Sequence, residues 1–105
     1  MKILQTEHFK KWFEGIRDIR GQARLVARIR RFGLDNPGDV KSVGSGVYEL
    51  RLHFSPGYRV YYVYQSETTA ILLYGGIKDT QSRDIKRALK IAKDYQLENH
   101  ESNKH

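Results

Sequence analysis

The chain has 105 residues, of which 39% are hydrophobic and 30% are charged, and it carries a formal net charge of +7 at pH 7. These values are typical of one globular domain, the absence of cysteine excludes thiolate chemistry, and no apolar run reaches the ~20 residues of a membrane-spanning helix. The basic excess predicts a polyanionic partner, most often a nucleic acid, although an anionic membrane surface or an acidic protein also fits it.

The first third of the chain predicts a short strand followed by two helices. Residues 2–6, KILQT, fit a strand, and Thr6 can cap a helix whose aromatic residues recur at helical spacing. Asp18 can cap a second helix, which we expect to run from about Ile19 to Gly33 and to end at the DNPG turn.

The second predicted helix is strongly two-faced. At about 100° per residue, one narrow arc of this helix holds the basic side chains Arg20, Arg24, Arg28 and Arg31. Ile19, Val26 and Ile29 lie broadly opposite. The arc fits the solvated face of a surface helix, and it also fits a stripe that contacts phosphates, ribosomal RNA or an acidic partner segment.

The rest of the chain predicts three strands and one helix. Residues 40–46, VKSVGSG, read as a polar connection, and residues 46–64 read as two strands around a Ser-Pro-Gly turn. The segment 68–76 holds an unbroken apolar run, which indicates a central strand covered on both faces. A helix over residues 80–96, capped by Asp79 or Thr80, precedes a polar end.

The predicted order is therefore β-α-α-β-β-β-α. It describes an α+β domain over residues 1–97, in which the helices pack on one face of a small, mostly antiparallel sheet. Residues 98–105 form a polar tail that we expect to be disordered.

The register of the hairpin decides what each sheet face carries. A three-residue loop, Ser55–Gly57, pairs Phe54 with Tyr58, His53 with Arg59 and Arg51 with Tyr61. Only an odd loop length leaves one face uniformly apolar, because a slip of one residue moves every side chain to the other face. One face then forms a floor for the helices. The other face gathers Glu49, Arg51, His53, Arg59 and Tyr61.

This polar face has the groups that metal-free RNA cleavage requires. Glu49 or His53 can act as base or acid, and Arg51 and Arg59 can hold a phosphate and stabilise its charged transition state. Tyr61 can stack on a base or donate its hydroxyl. A simple cross-strand ion pair between Glu and Arg also explains the pattern. The histidines show no metal-ligand spacing, so we expect no metal and no cofactor.

Two longer strings resemble a known family. YELRLHFSPGYRVYY and ILLYGGIKDTQSRDIKRALKIA are similar to the RelE/ParE superfamily of type II toxins, and most of all to its HigB-like, phage Gp49-like group of addiction module killer proteins. The resemblance spans nearly the whole chain. It implies a RelE-like fold and, in the RelE and HigB branches, ribosome-dependent cleavage of mRNA.

The resemblance also implies partners and a compartment. We expect a cytoplasmic endoribonuclease that contacts mRNA, the ribosome and ribosomal RNA, and that binds no membrane. A cognate antitoxin, expected to be a HigA-like helix-turn-helix protein, would hold it inactive. The toxin would then meet operator DNA only indirectly, through the antitoxin complex.

Residue by residue, the resemblance implies roles for three cations. Arg51 matches a basic residue of the RNA-facing strand, Arg59 the arginine that stabilises the phosphate, and Lys78 the basic residue of the catalytic loop. The remaining RNA-contacting candidates of this region are Asp79 and Gln81. The tyrosine that RelE uses soon after this loop has no counterpart at Arg83-Asp84-Ile85, so the proton-transfer groups stay open among Glu49, His53, Lys78 and Asp79.

Two other functions fit the same sequence. A ParE-like protein would inhibit DNA gyrase without cleaving RNA, and a non-catalytic protein would only bind nucleic acid or act as an adaptor. The polar sheet face favours the endoribonuclease, because gyrase inhibition does not need a cluster directed at phosphate.

Overall fold

A computed structural model describes residues 1–102, with side chains described through Gln96. The elements in chain order are β1 (Lys2–Gln5), α1 (Glu7–Glu14), α2 (Ile19–Gly33), β2 (Val40–Gly44), β3 (Val47–Arg51), β4 (Tyr58–Ser66), β5 (Thr69–Ile77) and, after a 3-10 turn (Lys78–Thr80), α3 (Gln81–Ser102). Among the described residues, no helix is long and apolar enough to cross a membrane.

Both predicted helix caps of the first third are confirmed. The Thr6 hydroxyl accepts a hydrogen bond from the backbone N–H of Phe9 at 3.1 Å, and the Asp18 carboxylate accepts one from the N–H of Arg20 at 3.0 Å. Each cap satisfies a donor that a helix N-terminus otherwise leaves unpaired. Helix α2 therefore begins and ends where its sequence predicts.

The sheet has five strands in the order β1-β5-β4-β3-β2. Only β1 and β5 run parallel, so the predicted α+β fold with a mostly antiparallel sheet is confirmed. β5 lies inside the sheet, as its apolar run predicts. The segment read as a polar connection is β2, an edge strand that the sequence prediction missed. Its side chains are mostly exposed and a bulge lies between Ser42 and Gly44, so it lacks the apolar alternation of a strand.

Helices cover both faces of the sheet, and the prediction that they share one face is wrong. Helices α1 and α2 pack on the face of Leu50 and Val60. Helix α3 packs on the opposite face, against Val47 and Val63. These two valines lie on the same face as Glu49 and Arg59. Because this face is only partly polar, its apolar part is buried under a helix.

The hairpin register differs by two residues from the predicted one. Arg51 pairs with Arg59, and Glu49 pairs with Tyr61. Strand β3 ends at Arg51, and the N–H of Leu52 still donates to the carbonyl of Tyr58 at 3.0 Å. Residues 53–57 therefore form a loop of odd length that is longer than the predicted three residues. A shift of two residues keeps each side chain on its face. The faces predicted for Glu49, Arg51, Arg59 and Tyr61 are therefore right, whereas His53 lies in the loop beyond β3 and the predicted pairs are wrong.

Helix α3 begins close to its predicted start and continues to Ser102, beyond the predicted end at residue 96. Its buried side includes Ala88 and Ala92, as its periodicity predicts. The predicted tail, residues 98–105, overlaps the end of this helix, and residues 103–105 lie outside the described part of the chain.

Candidate active site

Three predicted cations lie at one end of the sheet, where β3 ends, β4 begins and β5 ends. Arg59 is opposite Arg51 on one side and opposite Gly76 on the other. The backbone N–H of Lys78 donates to the carbonyl of Gly57 at 2.9 Å, which joins the 3-10 turn to the hairpin loop. The fold thus brings Arg51, Arg59 and Lys78 together from three segments.

The Arg59 side chain is buried, with only 7% of the residue exposed. Its Nη1 donates to the carbonyl oxygens of Leu52, Gly57 and Tyr58 at 3.2, 3.1 and 3.1 Å. These carbonyls come from the loop and from the start of β4, so the hairpin loop is built around the guanidinium. This contact explains why the loop is longer than predicted. Nε is also buried, and it has no hydrogen-bond partner among the described residues.

The carboxylate of Glu49 is fully buried and engaged on both oxygens. Arg51 Nε donates to Oε1 at 2.8 Å, and the Gln81 amide lies 3.0 and 2.9 Å from Oε1 and Oε2. The hydrogen bond to Glu49 raises the pKa of Arg51 above its ordinary value. Glu49 is thus the counter-ion that orients Arg51 and Gln81, and its oxygens are not open to substrate.

Tyr61 is fully buried beneath α3, opposite Glu49. Burial, followed by the charge of Glu49, raises the pKa of Tyr61 far above its ordinary value. Its hydroxyl is buried and has no hydrogen-bond partner among the described residues. The ring cannot reach a nucleic-acid base from this position, so the predicted stacking role does not fit the structure.

His53 follows β3 in the loop and is exposed. Its Nε2 is paired with the carboxylate of Asp39, which precedes β2. The Asp39 carbonyl also accepts from the N–H of Arg51 at 3.1 Å, so the two loops are joined at the side chain and at the backbone. Sequence reasoning missed Asp39, because a contact across fourteen residues leaves no local signal.

The 3-10 turn presents Lys78 and Asp79 as exposed side chains. Behind it, the buried carboxylate of Asp84 accepts a hydrogen bond from the Thr80 hydroxyl. Asp84 lies directly on Gly76, where an added Cβ would be 1.9 Å from its Oδ2. Asp84 therefore holds the 3-10 turn, which contains Lys78, against the sheet. Sequence reasoning did not single it out, because the approach of Asp84 to Gly76 joins α3 to β5 and no local pattern marks it.

Comparison with known proteins identifies the family of this chain. The model of the family described as phage-derived protein Gp49-like matches residues 11–96. The chain belongs to this Gp49-like family. The predicted resemblance to RelE/HigB-like toxins is thus confirmed, and the chain is a toxin of the RelE type. Membership of such a toxin–antitoxin family implies an antitoxin partner.

Individual proteins are also similar to this Gp49-like chain. A Haemophilus influenzae protein, described as an uncharacterized protein, is 41% identical over 97 residues, which cover 92% of this chain and 98% of that protein. The solved structure of a mutant of the E. coli toxin RelE in the free state matches with a TM-score of 0.62. That match covers 82% of this chain and 95% of RelE at 18% identity, so it supports the RelE-like fold.

The four arginines of α2 do not form one surface in the Gp49-like chain. Arg20 and Arg31 are exposed, and the Arg24 guanidinium lies over the Phe54 ring, 4.4 Å from its centroid. Arg28 is buried, and its Nη2 donates to the carbonyls that flank Gly38 in the loop after the helix. Burial lowers the pKa of Arg28. The Arg28 side chain thus stabilises that loop, and its predicted role in RNA binding does not fit the structure.

The described residues contain no group of three or more histidine, cysteine, aspartate or glutamate side chains that could hold a metal ion.

Proposed function

We propose that this toxin is an endoribonuclease that cleaves ribosome-bound mRNA in the cytoplasm and so inhibits translation. The observation that carries the proposal is the buried Arg59 guanidinium, which three backbone carbonyls hold beside Arg51 and the turn of Lys78. A rigid cation of this kind is organised for an anion before the anion arrives. Such preorganised charge is often the largest contribution to a rate enhancement.

In the proposed reaction, the 2′-oxygen of one nucleotide attacks the adjacent phosphorus. A base removes the 2′-hydroxyl proton, and an acid gives a proton to the departing 5′-oxygen. The bond from phosphorus to that oxygen breaks, which leaves a 2′,3′-cyclic phosphate and a 5′-hydroxyl. Arg51, Arg59 and Lys78 stabilise the additional negative charge on the phosphorane, and no redox step or group acceptor is needed.

His53 is the acid–base group that the side-chain environments favour. Its ring is exposed and its Nε2 is paired with Asp39, which fixes the orientation of the imidazole. Glu49 has both oxygens engaged and no exposed surface. We therefore assign Glu49 to the positioning of Arg51, and His53 to proton transfer.

The remaining exposed candidates fit contacts outside the reacting phosphate. Arg20, Arg24 and Arg31 can approach ribosomal RNA from one side of α2, and Asp79 can contact the message beside Lys78. We propose that a HigA-like helix-turn-helix protein is the antitoxin and that it neutralises this activity.

The test is cleavage of a defined mRNA on purified ribosomes, with the new ends mapped and their chemistry identified. We expect 2′,3′-cyclic phosphate and 5′-hydroxyl ends from the wild type. Substitution Arg59→Ala should lower the rate by about 100-fold or more, the usual cost of losing one preorganised donor. Arg51→Ala and Lys78→Ala should act in the same direction. Lys93→Ala, an exposed cation on α3, is the matched control.

Intact message after incubation with the wild type would reject the proposal, as would equal cleavage by wild type and Arg59→Ala. A plasmid supercoiling assay with DNA gyrase, run on the same preparation, separates the ParE-like alternative. Inhibition of gyrase without cleavage of mRNA would select that alternative.

A further inference from the structure

The loop between α2 and β2 carries the partner of His53, and it is held from two sides. The carbonyl of Asp39, at the end of this loop, accepts a hydrogen bond from the backbone N–H of Arg51 at 3.1 Å and another from Nη2 of Arg28 at 3.4 Å. The same Nη2 also donates to the carbonyl of Pro37. The main chain of Asp39 is therefore fixed by β3 on one side and by α2 on the other.

The contact between Arg28 and the loop is closely packed. Only 8% of Arg28 is exposed, and Gly38 lies directly on its guanidinium: a Cβ at Gly38 would be 2.7 Å from Nη2. Gly38 also has a φ of +65°, which glycine adopts without a steric penalty. A charged group removed from water is costly unless its donors are used, so this guanidinium requires the loop carbonyls around it. The side chain and the loop therefore define each other's position.

The pair of His53 and Asp39 lies at the surface, where 67% of the His53 side chain and 44% of the Asp39 side chain are exposed. An exposed pair is weak by itself, because water screens it and two free side chains must be ordered. Here the main chain is fixed on both sides of the pair. The carbonyl of Leu52, directly before His53, accepts from Nη1 of Arg59 at 3.2 Å, and Asp39 is held by Arg28. The orientation of the pair thus depends on these main-chain contacts.

The pairing also distinguishes the two ring nitrogens of His53. An ionised carboxylate only accepts hydrogen bonds, so in the neutral imidazole the hydrogen is on Nε2, which faces Asp39. Nδ1 then carries the lone pair that can accept a proton. Because the residue before His53 is bonded to Arg59, this lone pair belongs to a loop that the phosphate-binding cation holds.

We propose that Asp39 and Arg28 are positioning residues of the proposed cleavage: Asp39 fixes the tautomer of His53 with hydrogen on Nε2, and Arg28 holds Asp39 in place from α2. Nδ1 accepts the proton of the 2′-hydroxyl while the 2′-oxygen bonds to phosphorus. The imidazolium returns that proton, through a water molecule, to the 5′-oxygen as its bond to phosphorus breaks. The inference rests on the proposed function for the reaction, whereas the tautomer does not depend on RNA cleavage.

The nitrogen chemical shifts of His53 test the tautomer without any RNA. Correlation spectra of the full chain labelled with nitrogen-15, recorded at alkaline pH, show which ring nitrogen carries hydrogen. We expect hydrogen on Nε2 in the wild type. Asp39→Asn should lose this preference, because an amide can donate to the imidazole as well as accept from it. Arg28→Ala should lose it because Asp39 is no longer held. Asp35→Asn, an exposed acid in the same loop, is the matched control and should keep the wild-type tautomer.

Cleavage of mRNA on ribosomes measures the consequence for the reaction. Asp39→Asn and Arg28→Ala should each lower kcat about tenfold or more and leave KM unchanged, because the position of a proton-transfer group affects the transition state and not the binding of the ribosome. The double variant should be no slower than the slower single variant, since both substitutions act through His53. Asp35→Asn should cleave at the wild-type rate.

A loss of stability alone is excluded by two features of this design. Asp39 is exposed, and Asn at this position keeps the backbone bond to Arg51, so Asp39→Asn does not depend on how the core tolerates a change. Leu25→Val removes one methylene group from a fully buried side chain of α2 and should lower stability. Well below its unfolding midpoint, it should keep the tautomer and the kcat of the wild type.

The proposal is overturned if the wild type carries hydrogen on Nδ1 or shows a mixture of tautomers, or if Asp39→Asn retains the wild-type tautomer and kcat. It is also overturned if the losses in Asp39→Asn and Arg28→Ala multiply in the double variant, or if Leu25→Val reproduces them. A wild type that carries hydrogen on Nε2, loses it in both variants and leaves mRNA intact would support the positioning of His53 and reject the proposed function.

Discussion

Arg51 and Arg59 lie directly opposite each other on β3 and β4, so two positive side chains share one position of the sheet. Like charges in opposed positions destabilise a sheet. The fold compensates the two residues differently: Arg51 is paired with the buried carboxylate of Glu49, and Arg59 is held by backbone carbonyls. Cations retained together at such a cost are expected where an anion must bind.

Substitution Glu49→Gln tests whether Glu49 acts as a counter-ion. The amide keeps the size of the side chain but removes the charge that compensates Arg51. We expect the free energy of unfolding to fall by about 1–3 kcal/mol, as is usual when a buried polar group loses its partner. Cleavage should slow, because Arg51 loses its orientation. Urea denaturation and a pH–rate profile measure the two effects.

The exposed Glu67→Gln is the matched control and should change neither quantity. The shape of the pH–rate profile distinguishes the roles. A counter-ion leaves both limbs of the profile in place, whereas a general base removes one limb when it is replaced. Loss of a limb in Glu49→Gln would contradict the assignment of proton transfer to His53.

Substitution Tyr61→Phe tests the role of the buried hydroxyl. Because that hydroxyl is buried and has no partner among the described residues, its removal should leave the free energy of unfolding unchanged or raise it slightly. Cleavage should be unaffected. A strong loss of cleavage would restore Tyr61 as a catalytic candidate.

The same variant makes a prediction about alkaline pH. Because its pKa is raised, the Tyr61 hydroxyl stays protonated in the folded protein above pH ~10. In the unfolded chain the same hydroxyl loses its proton at its ordinary pKa of about 10. The unfolded state then binds fewer protons, so stability decreases as pH rises above ~10, by up to about 1.4 kcal/mol per pH unit. Denaturation at several pH values should show a shallower decrease in Tyr61→Phe than in the wild type. Equal slopes of stability against pH in the two proteins would contradict this prediction.

Local signals predicted the elements that depend on neighbouring residues. The caps at Thr6 and Asp18 involve contacts within three positions, and both are where the sequence predicts them. The faces of the hairpin also follow from the sequence, because alternation and an odd loop length decide them. The gathering of Arg51 and Arg59 on one face was predictable for the same reason.

Long-range contacts decided what the sequence prediction missed. The hairpin pairs depend on the loop carbonyls that surround Arg59, which no alternation rule contains. The burial of Arg28 depends on a loop that begins after α2 ends. The burial of Tyr61 depends on α3, which arrives from the far end of the chain. Each is a tertiary contact that local propensity does not contain.

Arg28 and Arg31 form a matched pair on α2. Arg28→Ala removes the donor to two loop carbonyls and the packing of a buried side chain, so we expect the free energy of unfolding to fall by about 1–3 kcal/mol. Arg31→Ala, at an exposed position, should leave stability within about 0.5 kcal/mol of the wild type.

The two substitutions, Arg28→Ala and Arg31→Ala, should affect ribosome binding in the opposite order to stability. Loss of Arg31 should weaken binding and reduce its dependence on salt, because an exposed arginine that contacts phosphate releases counter-ions. Loss of Arg28 should leave the salt dependence unchanged. Chemical denaturation and sedimentation with ribosomes at several salt concentrations provide the measurements. An unchanged salt dependence in Arg31→Ala would remove Arg31 from the predicted RNA surface.

Alanine substitutions at the adjacent glycines Gly75 and Gly76 distinguish an effect on stability from an effect on activity. A Cβ at Gly75 would lie 2.2 Å from the Trp12 ring on the face of α1, and one at Gly76 would lie 1.9 Å from Asp84 on the face of α3. Each alanine therefore adds the same atom to a packed site, and overpacking costs about 1–3 kcal/mol. Both variants should unfold at lower urea concentration than the wild type.

Only Gly76→Ala should also slow cleavage beyond its effect on folding, because displaced Asp84 no longer fastens the turn of Lys78 through Thr80. Rates measured well below each unfolding midpoint, together with a double-mutant cycle of Gly76→Ala and Asp84→Ala, check this. The two substitutions should be non-additive, since the clash disappears once the carboxylate is gone. Additive losses, or equal rates in Gly75→Ala and Gly76→Ala, would show that Asp84 does not position the turn.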